Sequence, residues 1–297
     1  MQNLSFTNIL IFSRHPQASK TSIPDLIDAL EHLDVNIFIE DETAELCPDC
    51  DFPTKNKKDI ADCDLALVVG GDGSLLAISE EACKQDVPLL GLNRGKLGFL
   101  ADIPASQTTT IANIVQGEYI EEERWILQAH HYNQQTQEKT FLATAVNEVM
   151  LTRGDLMHML HFDLFIDDEF IYYQHADGIL ITTPTGSTAY AMSAGGPILH
   201  PQLNAISLVP LCPHKLNTRP VVIDKQHQIQ LVPKIQNDRN PIIWCDGRQK
   251  KIIGPGEEVH ISVFPKKIKL IHPKDYRFYD TLKAKLHWER KSNARFT

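Results

Sequence analysis

The sequence has no apolar run long enough to cross a bilayer, no excess of positive charge, no internal repeat and no low-complexity tract. Each absence excludes something. A membrane helix needs about 20 consecutive apolar residues, so none is expected. The 29 Lys+Arg against 38 Asp+Glu leave a formal net charge of −9, which argues against bulk nucleic acid or an anionic membrane as a partner. An anionic small molecule stays open, because a pocket needs only local cations and N–H groups. The first residues, MQNLSFTNILIFSR, lack the basic start, apolar core and small-residue cleavage site of an export signal, so a cytoplasmic location is expected. The 6 cysteines are irregularly spaced and form no disulfide framework, which makes reduced thiols the default. Cys47 and Cys50 sit in a CPDC sequence, but one CxxC without a matching pair is a weak zinc or redox signal, and an incidental pairing is the simpler account.

What is present is an ordinary globular composition, 42% hydrophobic and 23% charged, in a chain long enough for two cores. Strand and helix patterns alternate up to about residue 118, as in a parallel sheet covered by helices: strands at 8–14, 35–40, 65–69 and 88–92, helices at 23–33 and 104–116, and a polar loop of about twenty residues before Leu65. From about 120 to 273 the runs are short and rich in β-branched and aromatic residues, with Asp167-Asp168 and Asp246-Gly247 where hairpin turns would fall. The expected architecture is an N-terminal Rossmann-like α/β domain over 1–119 and a C-terminal β-sandwich domain over 120–274. A terminal helix over 275–297 is expected to pack back on the first domain.

Three stretches carry chemistry. In LALVVGGDGSLL an apolar strand breaks at Gly70, Gly71 and Gly73 before a helix that Ser74 is expected to cap, so backbone N–H groups would point at a phosphate above the sheet edge. Asp72 is out of place in a cradle for anions unless it binds a metal or takes a proton from a hydroxyl nucleophile. DGILITTPTGSTAYAMSAGGPILHP, residues 177–201, is dense in hydroxyls and glycines that suit a polar ligand; a Ser/Thr-rich turn with a capped helix over 187–194 is the plainer alternative. In TAVNEVMLTR, Asn147 and Glu148 interrupt a strand, and a bulge or strand end would let both hold vicinal hydroxyls; otherwise they are a polar pair at a domain edge.

Together with NRGKLGFL and HPKDYRFYDTLKAKLHW, these stretches resemble the bacterial NAD kinases, in the family's order and over most of the chain. The resemblance implies transfer of the ATP γ-phosphoryl group to the adenosine-ribose 2′-hydroxyl of NAD, with Mg2+ or another divalent metal required. It implies Asp72 as proton acceptor and NAD contacts from Asp72, Gly73, Asn147, Glu148, His158, His175, Asp177, Thr185, Thr188, Ala189 and Tyr190. It further implies a homodimer or homotetramer. Gly70, Gly71, Gly73, Arg94, Lys96 and Arg248 are candidates for phosphate, the three cations being equally placed to lie in solvent. No protein metal ligand is named, since magnesium commonly keeps waters and substrate oxygens. Two positions depart from the family: His175 where relatives often carry arginine, and Arg248 where glutamine is expected. The rival functions are a lipid kinase of the diacylglycerol type, which also uses a GGDG loop, and a nucleotide-binding regulator without chemistry.

Overall fold

The computed structural model describes residues 4–14, 16, 21–48, 50–154, 158–215, 217–235 and 240–288. The chain divides into two compact units, Met1–Glu123 with Ile268–Thr297, and Arg124–Lys267.

The first unit is built on parallel strands, because its apolar runs are buried on both faces. Asn8–Phe12 pairs with Asn36–Glu40 on one side and Leu65–Val69 on the other, with Ile9 opposite both Ile37 and Leu65. Leu89–Asn93 lies beyond Leu65–Val69, Thr54–Lys55 beyond Asn36–Glu40, and Leu270 pairs in parallel with Leu89. The chain therefore builds outward from Asn8–Phe12 in one direction, then reverses to add Leu65–Val69. Ligands of doubly wound folds bind outside the carboxyl ends of the strands flanking such a reversal. Here those ends are tied together, since Ser13 Oγ donates to the Val69 carbonyl over 2.8 Å.

The helix Ser22–Glu31 buries Ile23, Leu26, Ile27 and Leu30, the expected one-sided stripe. With Ile111, Ile114 and Val115 from Thr108–Val115 it packs on Ile9, Ile11, Ile37, Ile39, Leu65 and Leu67. The helix Asp72–Gln85 buries Leu75, Ile78 and Ala82. The terminal helix is Phe278–Leu286, with Lys285 lying 5.5 Å from the Phe99 ring centre; it ends at a left-handed His287 (φ 55°), so Trp288 lies beyond it and is exposed.

Several local expectations change. The loop before Leu65 contains a helix, Asp41–Leu46, capped by the Glu40 carboxylate accepting from the Thr43 N–H (3.1 Å), and the short strand Thr54–Lys55. Cys47 and Cys50 are joined by a disulfide and so are not reduced thiols, their Cα atoms being 5.5 Å apart at the end of that helix. The helix expected over 104–116 is Thr108–Val115, because Pro104 is drawn into a short strand, Ile103–Pro104, beside Leu89–Asn93.

The second unit is antiparallel. One sheet has the order Val221–Asp224, Ala205–Leu211, Gly178–Thr182, Glu148–Thr152, Ile242–Cys245, Arg248–Ile252. A second set contains Glu169–Ala176, Leu160–Ile166 and Ile229–Pro233. Inward residues of both, among them Val149, Ile179, Leu208 and Ile243 from one and Phe162, Leu164 and Leu231 from the other, form a single core. Both Asp167-Asp168 and Asp246-Gly247 have positive φ, as hairpin turns require. The fold class is that expected from the pattern, an α/β unit and a β-rich unit.

Candidate active site

In the first unit the strand Leu65–Val69 ends at Gly70, whose N–H donates to the Leu92 carbonyl (2.8 Å). The helix starts at Asp72, with Gly71 as N-cap and no side-chain cap, so Ser74 lies inside the first turn and does not cap it. Gly70 is needed for room, since a Cβ there would fall 2.2 Å from Ser74 Oγ; a Cβ on Gly71 or Gly73 would meet nothing within 4 Å. The turn thus leaves an open approach to an uncapped helix N-terminus, which favours an anion through its N–H groups and dipole.

The Asp72 carboxylate turns away from that approach into the loop that follows Leu89–Asn93. Its Oδ2 accepts from the Phe99 N–H, and its Oδ1 from the N–H groups of Leu100 and Ala101, each at 3.0 Å. Gly98 makes this possible, because a Cβ there would lie 2.1 Å from Asp72 Oδ1 and 2.8 Å from the Ala101 carbonyl oxygen. An ionised carboxylate offers about four lone-pair positions, so three bonds fix its orientation and leave about one for a ligand. Arg94 and Lys96 are exposed on the same loop. Arg94 lines a cavity of about 320 Å³ with Ser22, Asp25 and Asn93.

In the second unit Asn147 and Glu148 stand where Glu138–Ala145 gives way to Glu148–Thr152, Asn147 in the break and Glu148 opening the second strand. The bend is held by Asp246, whose side chain accepts from the N–H groups of Val146 (2.8 Å), Asn147 (2.8 Å) and Glu148 (3.3 Å). Sequence reasoning gave Asp246 only a turn; its partners lie about a hundred residues away, where no local pattern reports them. Burial pushes its carboxyl pKa up, against the lowering effect of those bonds and of Arg248. Arg248 itself is exposed just beyond the turn.

The hydroxyls of the 177–197 segment work inward. Thr183 Oγ1 donates to the Val146 carbonyl (2.6 Å), Thr182 Oγ1 to Asn147 (3.0 Å), Thr188 Oγ1 to Thr185 (3.0 Å) and Ser187 Oγ to Pro184 (2.6 Å). Thr185 is buried, and its Oγ1 accepts from Arg124 Nη1 (3.2 Å). The local structure is the plainer alternative in broken form, a 3-10 turn Gly186–Thr188 followed by one helical turn, Tyr190–Ser193. A Cβ on Gly186 would fall 2.1 Å from the Asn147 carbonyl oxygen, so this segment and the Asn147 bend are pressed into one knot.

Glu148 is 8% exposed and its Oε2 has no hydrogen-bond partner among the described residues. Burial first, then the charge of Asp246, raises its pKa from 4.5 to about 8. Asp177 pairs with Arg153 Nη1 at 2.9 Å, an arginine not singled out from sequence, and with Tyr190 they line a cavity of about 570 Å³. Ala189 is half-buried at the start of that helical turn. His175 is outside this knot, on Glu169–Ala176, stacked on His161 (3.9 Å between centroids) and beside Tyr173. Burial and then the neighbouring His161, His214 and Lys215 lower its pKa, so it is mainly neutral at pH 7. His158 is exposed.

Family models match twice: an ATP-NAD kinase N-terminal domain over residues 50–119 and an ATP-NAD kinase C-terminal domain over residues 146–273. The NAD kinase of Teredinibacter turnerae is 42% identical over 96% of this chain and 97% of its own, and that of Legionella pneumophila is 40% identical over 96% and 98%. Among solved structures, yeast NADH kinase complexed with NADH superposes with a TM-score of 0.87 at 25% identity, covering 100% of this chain and 91% of that one.

The neutral form of Glu148 favours folding. With its pKa raised from 4.5 to about 8, that contribution is complete below pH 4.5 and is lost as pH rises through about 8. The loss is on the order of 5 kcal/mol at most. Thermal melts from pH 5 to 9 should show wild type losing stability more steeply than Glu148→Gln, and parallel curves would refute the assignment.

Proposed function

The chain belongs to the NAD kinase family and is a phosphotransferase that moves the ATP γ-phosphoryl group to the adenosine-ribose 2′-hydroxyl of NAD, and we propose that Asp72 is the residue that meets this hydroxyl. The supporting observation is the Asp72 carboxylate, fixed by three backbone donors at the start of an uncapped helix at the sheet's reversal point. Phosphoryl transfer asks a protein mainly for alignment and charge stabilisation. A carboxylate with two oxygens already oriented aligns the hydroxyl and takes its proton, while N–H groups of the turn face phosphate.

Asn147 and Glu148 suit ribose hydroxyls. A carboxamide and a neutral carboxyl each donate and accept, as a hydroxyl does, and the unpartnered Oε2 of Glu148 supplies such a position. Gly73, Asp177, Thr188, Ala189 and Tyr190 complete the proposed NAD contacts, with His158 and His175 at its margin; Thr185 acts through Arg124 and the shape of the knot. Gly70 and Gly71, with Arg94, Lys96 and Arg248, are proposed for phosphate. Magnesium takes phosphate and water oxygens readily, so the divalent cation is proposed to arrive with ATP. Family membership also supports a homodimer or homotetramer in the cytoplasm; no helix among the described residues is long and apolar enough to cross a membrane.

Incubation with ATP, Mg2+, NAD and a diacylglycerol should yield NADP and no phospholipid; phosphorylation of the lipid alone overturns the assignment. Asp72→Asn should lower kcat at least a thousandfold while NAD affinity stays within about tenfold. Near-normal turnover in that variant would remove Asp72 from the chemistry. Because the family resemblance implies an arginine in many relatives where this chain has His175, whose pKa is lowered, His175→Arg should change the NAD/NADH ratio of kcat/KM by about threefold or more. An unchanged ratio excludes His175 from substrate choice.

A further inference from the structure

The loop that grips Asp72 is itself gripped from the far end of the chain. Asp102, the residue after the Ala101 donor, has its Oδ2 2.8 Å from His272 Nδ1. On the other side of the ring, His272 Nε2 lies 3.4 Å from Glu122 Oε2. The imidazole is 1% exposed, and the side chains of Asp102 and Glu122 are 6% and 14% exposed. Tyr276 covers the ring face, 3.9 Å between centroids and 9° from parallel.

Within the first unit these contacts join three elements: the Asp72-binding loop, the start of Tyr119–Asn133 and the end of Glu257–Pro273. Nδ1 hydrogen-bonds Asp102, while Nε2, which has no hydrogen-bond partner among the described residues, faces the Glu122 carboxylate at ion-pair distance, and two carboxylates beside one imidazole favour its charged, doubly protonated form. Burial alone would lower the His272 pKa, but hydrogen bonds and charge from Asp102 and Glu122 outweigh it and the net shift is upward. Among the described residues, the titratable groups seen against the ring are Asp102, Glu122 and Tyr276; Lys274, two residues on, pairs with Glu118 at 2.5 Å.

We propose that His272 is a positioning residue for phosphoryl transfer, holding Asp102 so that the N–H groups of Phe99, Leu100 and Ala101 stay aimed at the Asp72 carboxylate, and that its doubly protonated form is the one that does so. This rests on Asp72 meeting the acceptor hydroxyl. Loss of one His272 proton removes the positive charge and leaves a single N–H between two carboxylates, which weakens the grip on Asp102 next to Ala101, and the carboxylate that orients the hydroxyl then shifts with its donors. Displacement of about 1 Å at such a position costs about a hundredfold in rate. The sign follows from the upward shift: the grip is complete below the ordinary histidine pKa of 6.5 and is lost as pH rises through the higher folded-state value.

His272→Gln, which keeps bulk and one donor, should lower kcat roughly ten- to a hundredfold while the KM for NAD stays within about threefold. The alkaline limb of the wild-type kcat profile should vanish in that variant, and hydrogen exchange at the Phe99, Leu100 and Ala101 amides should speed up. Asp102→Asn provides a second variant if His272→Gln does not fold, and its alkaline limb should move to lower pH. A merely structural histidine would lower the melting temperature without moving the pH profile or those three amides. A folded variant with wild-type kcat, limb and amide exchange overturns the proposal. Asp72→Asn run in parallel separates the two ideas. If it is inactive while His272→Gln is normal, only the positioning role falls. If Asp72→Asn is active, Asp72 has no role in catalysis and the proposed contribution of His272 to transfer falls with it, whatever the exchange at those amides.

Discussion

Both units turn on the same interaction, an aspartate beside a glycine whose carboxylate accepts three backbone N–H groups. Asp72 gathers Phe99, Leu100 and Ala101; Asp246 gathers Val146, Asn147 and Glu148. Hydrogen bonds to a charged group are stronger than neutral ones, contributing about 1.5–3 kcal/mol each. Three on one carboxylate fix a bend that the backbone would not otherwise keep. In the first unit the result is an oriented carboxylate at the sheet's reversal point, in the second a fixed bend at Asn147 where one strand gives way to the next.

The hydroxyl-rich segment acquires its meaning from the second of these bends. Thr182 and Thr183 donate to carbonyls of Asn147 and Val146, and Gly186 allows the close approach. Their small polar side chains satisfy buried backbone groups that would otherwise lie unpaired, at a cost of about 1–3 kcal/mol each. The density of Thr, Ser and Gly therefore serves the packing of this segment against the bend at Val146 and Asn147. Glu148 is the exception, a buried carboxyl with an unpartnered oxygen, held neutral by its surroundings.

Chemistry that looked separate along the chain is thus arranged by contacts of very different reach. Asp72 meets a loop about thirty residues on, Asp246 a bend about a hundred residues back, and His272 an aspartate 170 residues back. The Cys47–Cys50 disulfide and the Asp41–Leu46 helix, by contrast, are local, yet the polar composition around them read as loop. A carboxylate cap supplied by Glu40, and strand pairing with Thr54–Lys55, gave that segment its order.

The sequence by itself determined the alternation of buried strands and one-sided helices, the change to antiparallel strands, the hairpin turns and the family motifs, because periodicity and turn chemistry are written in neighbouring residues. It also picked out Asp72, Asn147 and Glu148 as misfits in their local patterns. Only the tertiary structure decided that Ser74 lies within the helix, that the threonine hydroxyls face inward, that Glu148 is buried with its pKa raised, and that Asp246 and His272 meet groups far from them along the chain. Hydrogen bonds and burial between distant residues leave no period in the sequence, and the charge state of a buried carboxyl depends on neighbours that only folding supplies.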